Sequence, residues 1–324
     1  MKIIQTYYQI DKKTDTKNFN DSNIYLLNFY SLLLSYLTIK KLYGNVEIYS
    51  NKLAYDKILK YIPYDNNIII DENNNINSYN YLNEWDFFKF NVYEKQKEPF
   101  IHIEGDVFIF KDLLSEYINN KTYDGIVQSI ETSKSLFYNN FYFSNIDMLE
   151  KHDFIDKKKI EKSYEKYSQI ISYNCGVVGF RNMEFFNEYL LNVKKMIDLI
   201  NKGILKIKNQ SNYIEQFTLY SLSQKLNKKI YEVLPESDIL KYGYNQTGNM
   251  HGYTHLLGKN KYVGSFIVLI RNKIIKNFPK YKKNIEMFEN SLNDFDFMTI
   301  KHKDENKFLK SFNNKWKYLK NILK

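Results

Sequence analysis

The sequence is poor in cysteine and arginine. Cys175 is its only cysteine, so neither an internal disulfide nor a zinc site built from several thiolates can form. This favours a reducing compartment. Arginine occurs only at positions 181 and 271, whereas lysine, asparagine, isoleucine and tyrosine are abundant. Such a bias is typical of an A+T-rich genome, so most lysines need no functional explanation.

Long apolar segments are also absent. The longest apolar stretch, Ile24 to Ile39, is interrupted by Asn28, Ser31 and Ser35, and it falls short of the roughly 20 residues needed to cross a bilayer. The first residues lack the apolar core of about 7–15 residues found in a signal peptide. We therefore expect a cytoplasmic protein.

Four common functional patterns do not occur in the chain. We find no G-x-G-x-x-G, no G-K-[ST], no H-E-x-x-H and no G-x-S-x-G. Their absence disfavours Rossmann dehydrogenases, P-loop enzymes, zinc metalloproteases and α/β-hydrolases.

The pattern of apolar residues predicts an α/β fold. Lys2 to Tyr8 resembles a buried strand, Ile24 to Tyr43 a long helix ended by Gly44, and Val46 to Ser50 a second strand. A strand, a helix and a strand in this order form a βαβ unit, hence a largely parallel sheet. Further strands are predicted at 126–130, 170–180 and 230–234, with helices at 52–61, 85–92, 183–202 and 212–226.

The segment Phe100 to Phe110, FIHIEGDVFIF, consists of two apolar strand-like halves separated by Glu104, Gly105 and Asp106. Two carboxylates in apolar surroundings are costly to bury unless they bind a cation or several hydrogen-bond donors. Placed two residues apart at the end of a strand, they are suited to a hard divalent ion. The alternative is a β-turn with solvated acids.

A second candidate segment runs from Met250 to Lys261 and contains His251 and His255. One of these histidines would supply an imidazole ligand, although surface histidines in a loop are the alternative. Gly258 would allow close approach of a phosphate to the backbone, and Lys261 would neutralise phosphate charge.

Together these residues resemble glycosyltransferases of the GT-A fold, in particular the glycogenin-like (family 8) group. HIEGDVF at 102–108 resembles the D-x-D motif, and the segment from His255 through Gly258 to Lys261 resembles the late H-x-x-G-x-x-K motif. Asn174-Cys175-Gly176 is similar to the N-x-G strand that borders the donor sugar in these enzymes, and Glu215-Gln216 is similar to the Asp-Gln pair that they often have at this place.

The resemblance implies a GT-A catalytic domain over residues 1–262, with a mostly parallel central sheet flanked by helices, and a helical extension over 263–324. It implies transfer of a hexose from a nucleotide-sugar, in our prediction a UDP-sugar, to a glycan or glycoconjugate acceptor. Glu104, Asp106 and His255 would bind Mn²⁺ or Mg²⁺. The predicted nucleotide-sugar-binding residues are Gln5, Thr6, Tyr7, Tyr8, Lys89, Glu104, Gly105, Asp106, Asn174, Gly176, Gly258 and Lys261.

Glu215 is the candidate proton acceptor for the acceptor hydroxyl, and Gln216 would bind sugar hydroxyls. For Glu215 the alternative is the exposed face of the 212–226 helix. At the end of the first strand, a tyrosine at position 7 or 8 would stack on the nucleotide base, and Gln5 or Thr6 would bond to its edge; core packing is the alternative for the tyrosines.

Two other functional classes remain open. The net charge of +10 and the 17% aromatic content suggest nucleic-acid binding, but the lysines are dispersed and no RNA-binding signature occurs, so we expect no nucleic-acid partner. The Glu104 substitution in the D-x-D-like motif is compatible with a related protein that binds nucleotide or sugar without turnover.

The C-terminal tail combines lysines with apolar residues at helical spacing, at Lys273 to Asn284 and Lys307 to Lys324. One interpretation is peripheral contact with the anionic inner face of the membrane. The other is a helix packed on the catalytic domain.

Overall fold

A computed structural model of the chain describes residues 1–9, 21–70, 84–131, 135–205, 213–256 and 264–292. Its strands are β1 (Lys2–Tyr7), β2 (Val46–Ser50), β3 (Asn66–Ile69), β4 (Phe100–Ile103), β5 (Val107–Ile109), β6 (Gly125–Glu131), β7 (Ser172–Phe180), β8 (Ile230–Glu232) and β9 (Tyr253–His255).

The α-helices of the described residues alternate with these strands. They are α1 (Asp21–Tyr43), α2 (Lys52–Lys57), α3 (Glu84–Glu94), α4 (Ser115–Asn119), α5 (Ser135–Lys151), α6 (Lys157–Tyr167), α7 (Met183–Asn201), α8 (Thr218–Lys225), α9 (Glu236–His251), α10 (Gly264–Asn277) and α11 (Lys282–Glu289). Short 3₁₀ helices span Leu59–Tyr61 and Pro279–Tyr281.

Seven strands form a mixed sheet in the order β3-β2-β1-β4-β7-β6-β8, and β5 and β9 form a separate two-stranded sheet. Strand β1 pairs in parallel with β4, β2 with β3, and β6 with β8, whereas β7 is antiparallel to β4 and β6. The predicted α/β fold with a mostly parallel sheet flanked by helices is confirmed.

Helix α1 is the apolar helix predicted from the sequence. Residues on nearly all of its faces are buried, including Phe29, Tyr30 and Leu33, as expected for a helix that is apolar all round. It ends at Gly44, whose φ of 89° is in the left-handed region and whose N–H donates to the Lys40 carbonyl at 3.1 Å. Glycine is the residue that adopts this helix-ending conformation most readily.

The predicted helix over 212–226 takes a different form. Its first residues, Tyr213–Phe217, form a π-helix, and α8 follows directly. A π-helix turn is wider than an α-helix turn and occurs often at functional sites. Apolar spacing alone did not distinguish the two.

The chain folds as two compact units. The described residues of the first unit fall within Met1–Ile4, Glu72–Ile103 and Leu114–Lys241, and those of the second within Gln5–Asp71, Glu104–Leu113 and Tyr242–Lys324. In the first unit every residue of β6 and β7 is buried. The second unit contains α1 and the two-stranded sheet. The division into residues 1–262 and 263–324 stays a prediction.

The described part of the tail is helical. In α11, Ile285 and Phe288 are completely buried, and the Phe288 ring stacks on Phe29 with centroids 4.0 Å apart. This part of the tail therefore packs within the second unit. Residues 307–324 lie outside the described residues, and membrane contact stays a prediction. Among the helices of the described ranges, none has the length and apolar character required to cross a membrane.

Candidate functional site

The acidic turn and the late histidine lie next to each other in the second unit. Glu104, Gly105 and Asp106 form the turn before β5, and the Val107 N–H donates to the Glu104 carbonyl at 3.0 Å. Strand β5 pairs antiparallel with β9 in a register that places Val107 opposite His255. The Leu256 N–H donates to the Asp106 carbonyl at 3.1 Å. Backbone pairing thus fixes the histidine beside the acids.

The three side chains are within ligand distance of one another. The His255 Nε2 atom lies 3.1 Å from Glu104 Oε2 and 3.4 Å from Asp106 Oδ1. One ligand atom from each residue lies within 4.8 Å of the others. Of the two histidines that the sequence left open, His255 is in this cluster, whereas His251 is the last residue of α9.

The two carboxylates change the pKa of His255. Burial of the imidazole lowers its pKa, but the carboxylates of Asp106 and Glu104 raise it more, so the pKa is about 9 instead of the ordinary 6.5. The two acids therefore favour a positive charge at this point. Metal ligands must be deprotonated to bind, so a divalent ion would replace the imidazole proton.

Helix α1 packs against the acidic turn. The Ser35 hydroxyl donates to the Glu104 carbonyl at 3.4 Å. A Cβ atom on residue 105 would lie 2.4 Å from Leu32 Cδ2, and Leu32 is itself buried. A side chain at position 105 would therefore fit only if Leu32 moved, because the turn closely approaches the helix.

The first unit contains a buried ion pair between two predicted site residues. The Lys89 Nζ atom lies 2.6 Å from Glu215 Oε1, and the two side chains are 1% and 7% exposed. Glu215 lies in the π-helix, and its backbone carbonyl accepts a hydrogen bond from the Tyr189 hydroxyl at 3.4 Å. The alternative of Glu215 on an exposed helix face is wrong.

A second polar group in the first unit surrounds Asn174. Its Nδ2 donates to Glu131 Oε2 at 3.1 Å, and its Oδ1 accepts the Gly176 N–H at 3.1 Å. The residue after Glu215 is Gln216, whose Oε1 accepts a hydrogen bond from the Tyr138 hydroxyl at 2.6 Å. Sequence reasoning missed Glu131 and Tyr138. A carboxylate at the last position of a fully buried strand was the signal that could have identified Glu131.

The residues predicted to bind the base differ in accessibility. Gln5 is completely buried; its Nε2 donates to the Ser35 hydroxyl at 2.8 Å, and its Oε1 accepts from the Tyr64 hydroxyl at 2.9 Å. Its amide is thus a core hydrogen-bonding group. Tyr7 and Tyr8 are half-buried, and a role in base binding stays a prediction.

The remaining predicted residues are distributed as follows. Thr6 is buried and lies in the second unit, and Gly176 is buried within β7 of the first. Gly258 and Lys261 lie outside the described residues.

Comparison with known proteins gives one family assignment. A model of a family of unknown function, DUF6734, matches residues 1–288. A search of curated proteins found no match.

The fold is similar to several solved structures at very low sequence identity. Mouse xyloside xylosyltransferase 1 is 7% identical, with 71% of this chain and 84% of that chain covered and a TM-score of 0.39. The bifunctional glycosyltransferase WbbM is 9% identical; the match covers 88% of this chain and 51% of that chain, with a TM-score of 0.46. The glycosyltransferase GlyE of Streptococcus pneumoniae is 9% identical; the match covers 80% of this chain and 55% of that chain, with a TM-score of 0.37.

Proposed function

We propose that this chain, which belongs to the family of unknown function DUF6734, is a glycosyltransferase dependent on a divalent metal ion. It transfers a hexose from a nucleotide-sugar, which we take to be a UDP-sugar, to a hydroxyl of a glycan or glycoconjugate. The observation that carries the proposal is the cluster of Glu104, Asp106 and His255 in the second unit.

The donor atoms of this cluster suit Mn²⁺ or Mg²⁺. Two carboxylates and one imidazole offer hard oxygen ligands with a single nitrogen, and thiolates, which softer metals prefer, are absent. Glu104, Asp106 and His255 would hold the ion and would leave further coordination positions for phosphate oxygens. When bound, the ion would act as a Lewis acid that neutralises the charge developing on a departing diphosphate.

The chain's own residues have the following proposed roles. Glu104, Asp106 and His255 hold the ion and hence orient the diphosphate, with Lys261 as an additional counter-charge. During transfer the bond from the anomeric carbon to the phosphate oxygen breaks, and a bond from that carbon to the acceptor oxygen forms. The acceptor hydroxyl loses its proton, for which we propose Glu215 as the acceptor.

The contacts of the first unit support a polar sugar-binding function. Lys89 places an ammonium group 2.6 Å from the carboxylate of Glu215, so the side chain that we propose as proton acceptor is held in position by an ion pair. Asn174 and Gln216 carry amides, which can both donate to and accept from sugar hydroxyls, and the Glu131 carboxylate adds an acceptor. Buried polar groups of this kind are common where a ligand is oriented.

The metal site is tested by calorimetric titration of MnCl₂ and then UDP. Asp106→Ala is expected to abolish metal-dependent UDP binding, because it removes a metal ligand at the end of a strand and leaves no cavity in the core. His255→Ala should weaken Mn²⁺ binding at least tenfold. Asp147→Ala, which removes an exposed carboxylate on α5, is the matched control and should bind normally.

Two results would contradict the metal assignment. One is unchanged UDP binding in Asp106→Ala, and the other is a loss of Mn²⁺ binding in His251→Ala with none in His255→Ala. Transfer itself is measured as release of UDP from UDP-sugars in the presence of glycan acceptors. A protein that binds Mn²⁺ and UDP without any release would be a binding protein and not an enzyme.

A further inference from the structure

A basic surface of the second unit is not used by the proposed reaction. It is formed by the 3₁₀ helices Leu59–Tyr61 and Pro279–Tyr281 and by α11, which follows the second of them directly. The Asn284 side chain donates to the Tyr61 carbonyl at 3.0 Å, and the Tyr61 and Phe288 rings are in edge contact with centroids 5.4 Å apart. Residues 57–61 and 279–287 therefore adjoin, and we call them the basic face.

The basic face presents positive charge that the described residues leave uncompensated. It contains four exposed lysines, Lys57, Lys60, Lys280 and Lys283. None of the four has an ion-pair partner in the described part of the chain. The carboxylate of Asp56 is paired with Lys52, and that of Glu286 lies 3.6 Å from Lys282. A partner with several negative charges would therefore complement this surface.

Two tyrosines lie beneath these lysines. The Lys60 Nζ atom is 5.0 Å from the centre of the Tyr61 ring, and the Lys280 Nζ atom is 4.9 Å from the centre of the Tyr281 ring. Both tyrosines are half-buried. A half-buried tyrosine under an exposed lysine combines an apolar body with polar ends, which suits the boundary between water and an apolar phase.

Met287 adds an exposed apolar group to the same surface. It is 51% exposed and lies one helical turn after Lys283, so the two side chains share a face of α11. A nucleic acid would offer phosphates to the lysines but no apolar phase to the methionine. The interface of a bilayer offers both anionic headgroups and an acyl boundary. The combination therefore favours a lipid surface.

We propose that the basic face binds the surface of a bilayer that contains anionic lipids. The four lysines contact the headgroups, and Met287 enters the boundary between headgroups and acyl chains. The sequence indicated membrane contact for the tail alone, whereas the fold places Lys60 beside it, although the two are far apart in sequence. The proposal involves neither the metal ligands nor Glu215, so it does not depend on the proposed function.

The test is co-sedimentation of the full chain with vesicles, in EDTA and without nucleotide. Vesicles of phosphatidylcholine are compared with vesicles in which about one-third of the lipid is phosphatidylserine. Binding is expected only to the anionic vesicles, and it should weaken as salt is added. Each lysine near the surface contributes about fivefold in affinity, so Lys60→Gln/Lys280→Gln/Lys283→Gln should weaken binding by on the order of a hundredfold.

The matched control is Lys121→Gln/Lys158→Gln/Lys162→Gln, which removes three exposed lysines of the first unit and changes the net charge equally. It should bind within about twofold of the wild type, because these lysines lie outside the basic face. Met287→Ser should weaken vesicle binding about threefold or more, since it removes an apolar group from the interface. Thermal melting curves check that all variants fold.

Several results would overturn the proposal. They are equal binding to both kinds of vesicle, binding to neither, a loss in the triple variant no greater than in its control, and unchanged binding in Met287→Ser. Filter binding of polyuridylate tests the competing class of partner. A triple variant that loses polyuridylate binding but keeps vesicle binding would assign the basic face to nucleic acid instead.

Discussion

Gly105 is the residue that allows the acidic turn to lie against α1. A Cβ at this position would approach Leu32 Cδ2 to 2.4 Å, and buried Leu32 has little room to move. We expect Gly105→Ala to lower the free energy of unfolding by about 1–3 kcal/mol, the usual cost of overpacking.

A double-mutant cycle checks this cause in urea unfolding experiments. In a Leu32→Ala background the clash is absent, so adding Gly105→Ala should cost clearly less than it does in the wild type. Equal costs in the two backgrounds would mean that the glycine is needed for another reason.

The sequence was most informative about the proposed metal ligands at the scale of single residues. Two acids after a buried strand and a histidine in a late loop are unusual enough to be noticed, and the structure brings Glu104, Asp106 and His255 together. Glu131 and Tyr138 were missed because their partners, Asn174 and Gln216, are far away in sequence. Periodicity and spacing do not report such pairs.

At the scale of elements, a buried ion pair joins α3 to the π-helix. Lys89 and Glu215 are 1% and 7% exposed, so removing one partner leaves a buried charge. Lys89→Met should reduce the free energy of unfolding by about 3–5 kcal/mol, and Lys89→Met/Glu215→Leu should recover most of that loss.

The matched control is the exposed pair of Lys202 and Asp198, whose charged atoms are 2.7 Å apart with side chains 60% and 54% exposed. Lys202→Met should cost less than about 1 kcal/mol. All variants are compared by urea denaturation. A double variant as unstable as Lys89→Met would show that the loss comes from packing and not from charge.

Strand β8 gives the chain a dependence of stability on pH. Burial of Glu232, with a smaller contribution from Glu236, raises the pKa of its carboxyl to about 7 from 4.5, although Lys166 opposes the shift. Between these values the folded chain binds more protons than the unfolded chain, so this carboxyl destabilises the fold progressively as the pH rises.

Glu232→Gln removes the titrating group and nearly preserves the shape. It should therefore raise Tm at pH 8 and have a much smaller effect at pH 4.5. Glu161→Gln, an exposed change on α6, serves as the control in the same melting experiments. An equal gain from Glu232→Gln at both pH values would contradict the shifted pKa.

Elements were predicted well where apolar periodicity is strong. The second strand was predicted with its observed bounds, Val46–Ser50, and α1 began three residues earlier than expected. The π-helix was missed because one wider turn hardly alters apolar spacing. The pairing of β5 with β9 was missed because each strand has only three residues, too few to show a period.

For the whole molecule, ligand binding should be visible as increased stability. Under the proposed function, Mn²⁺ with UDP would bind only the folded chain, so a concentration one hundred times Kd should add about 2.7 kcal/mol to the free energy of unfolding. Thermal shift in a panel of nucleotides measures this as a Tm increase that EDTA reverses. The same increase for UDP in EDTA would show that binding does not need the metal.

The α/β class could be predicted because a βαβ sequence constrains the direction of the strands. The organisation into two units could not, because each unit is assembled from segments distant in sequence. Net charge gave no guide to function, since the lysines are distributed over the entire chain.

The pairing of Val107 with His255 has a consequence during synthesis. The acidic turn leaves the ribosome about 150 residues before its histidine does, so a nascent chain lacks a complete cation site until most of its length has been translated. Under the proposed function, unfinished polypeptides would not turn over substrate, and truncation anywhere before the last quarter should yield inactive fragments.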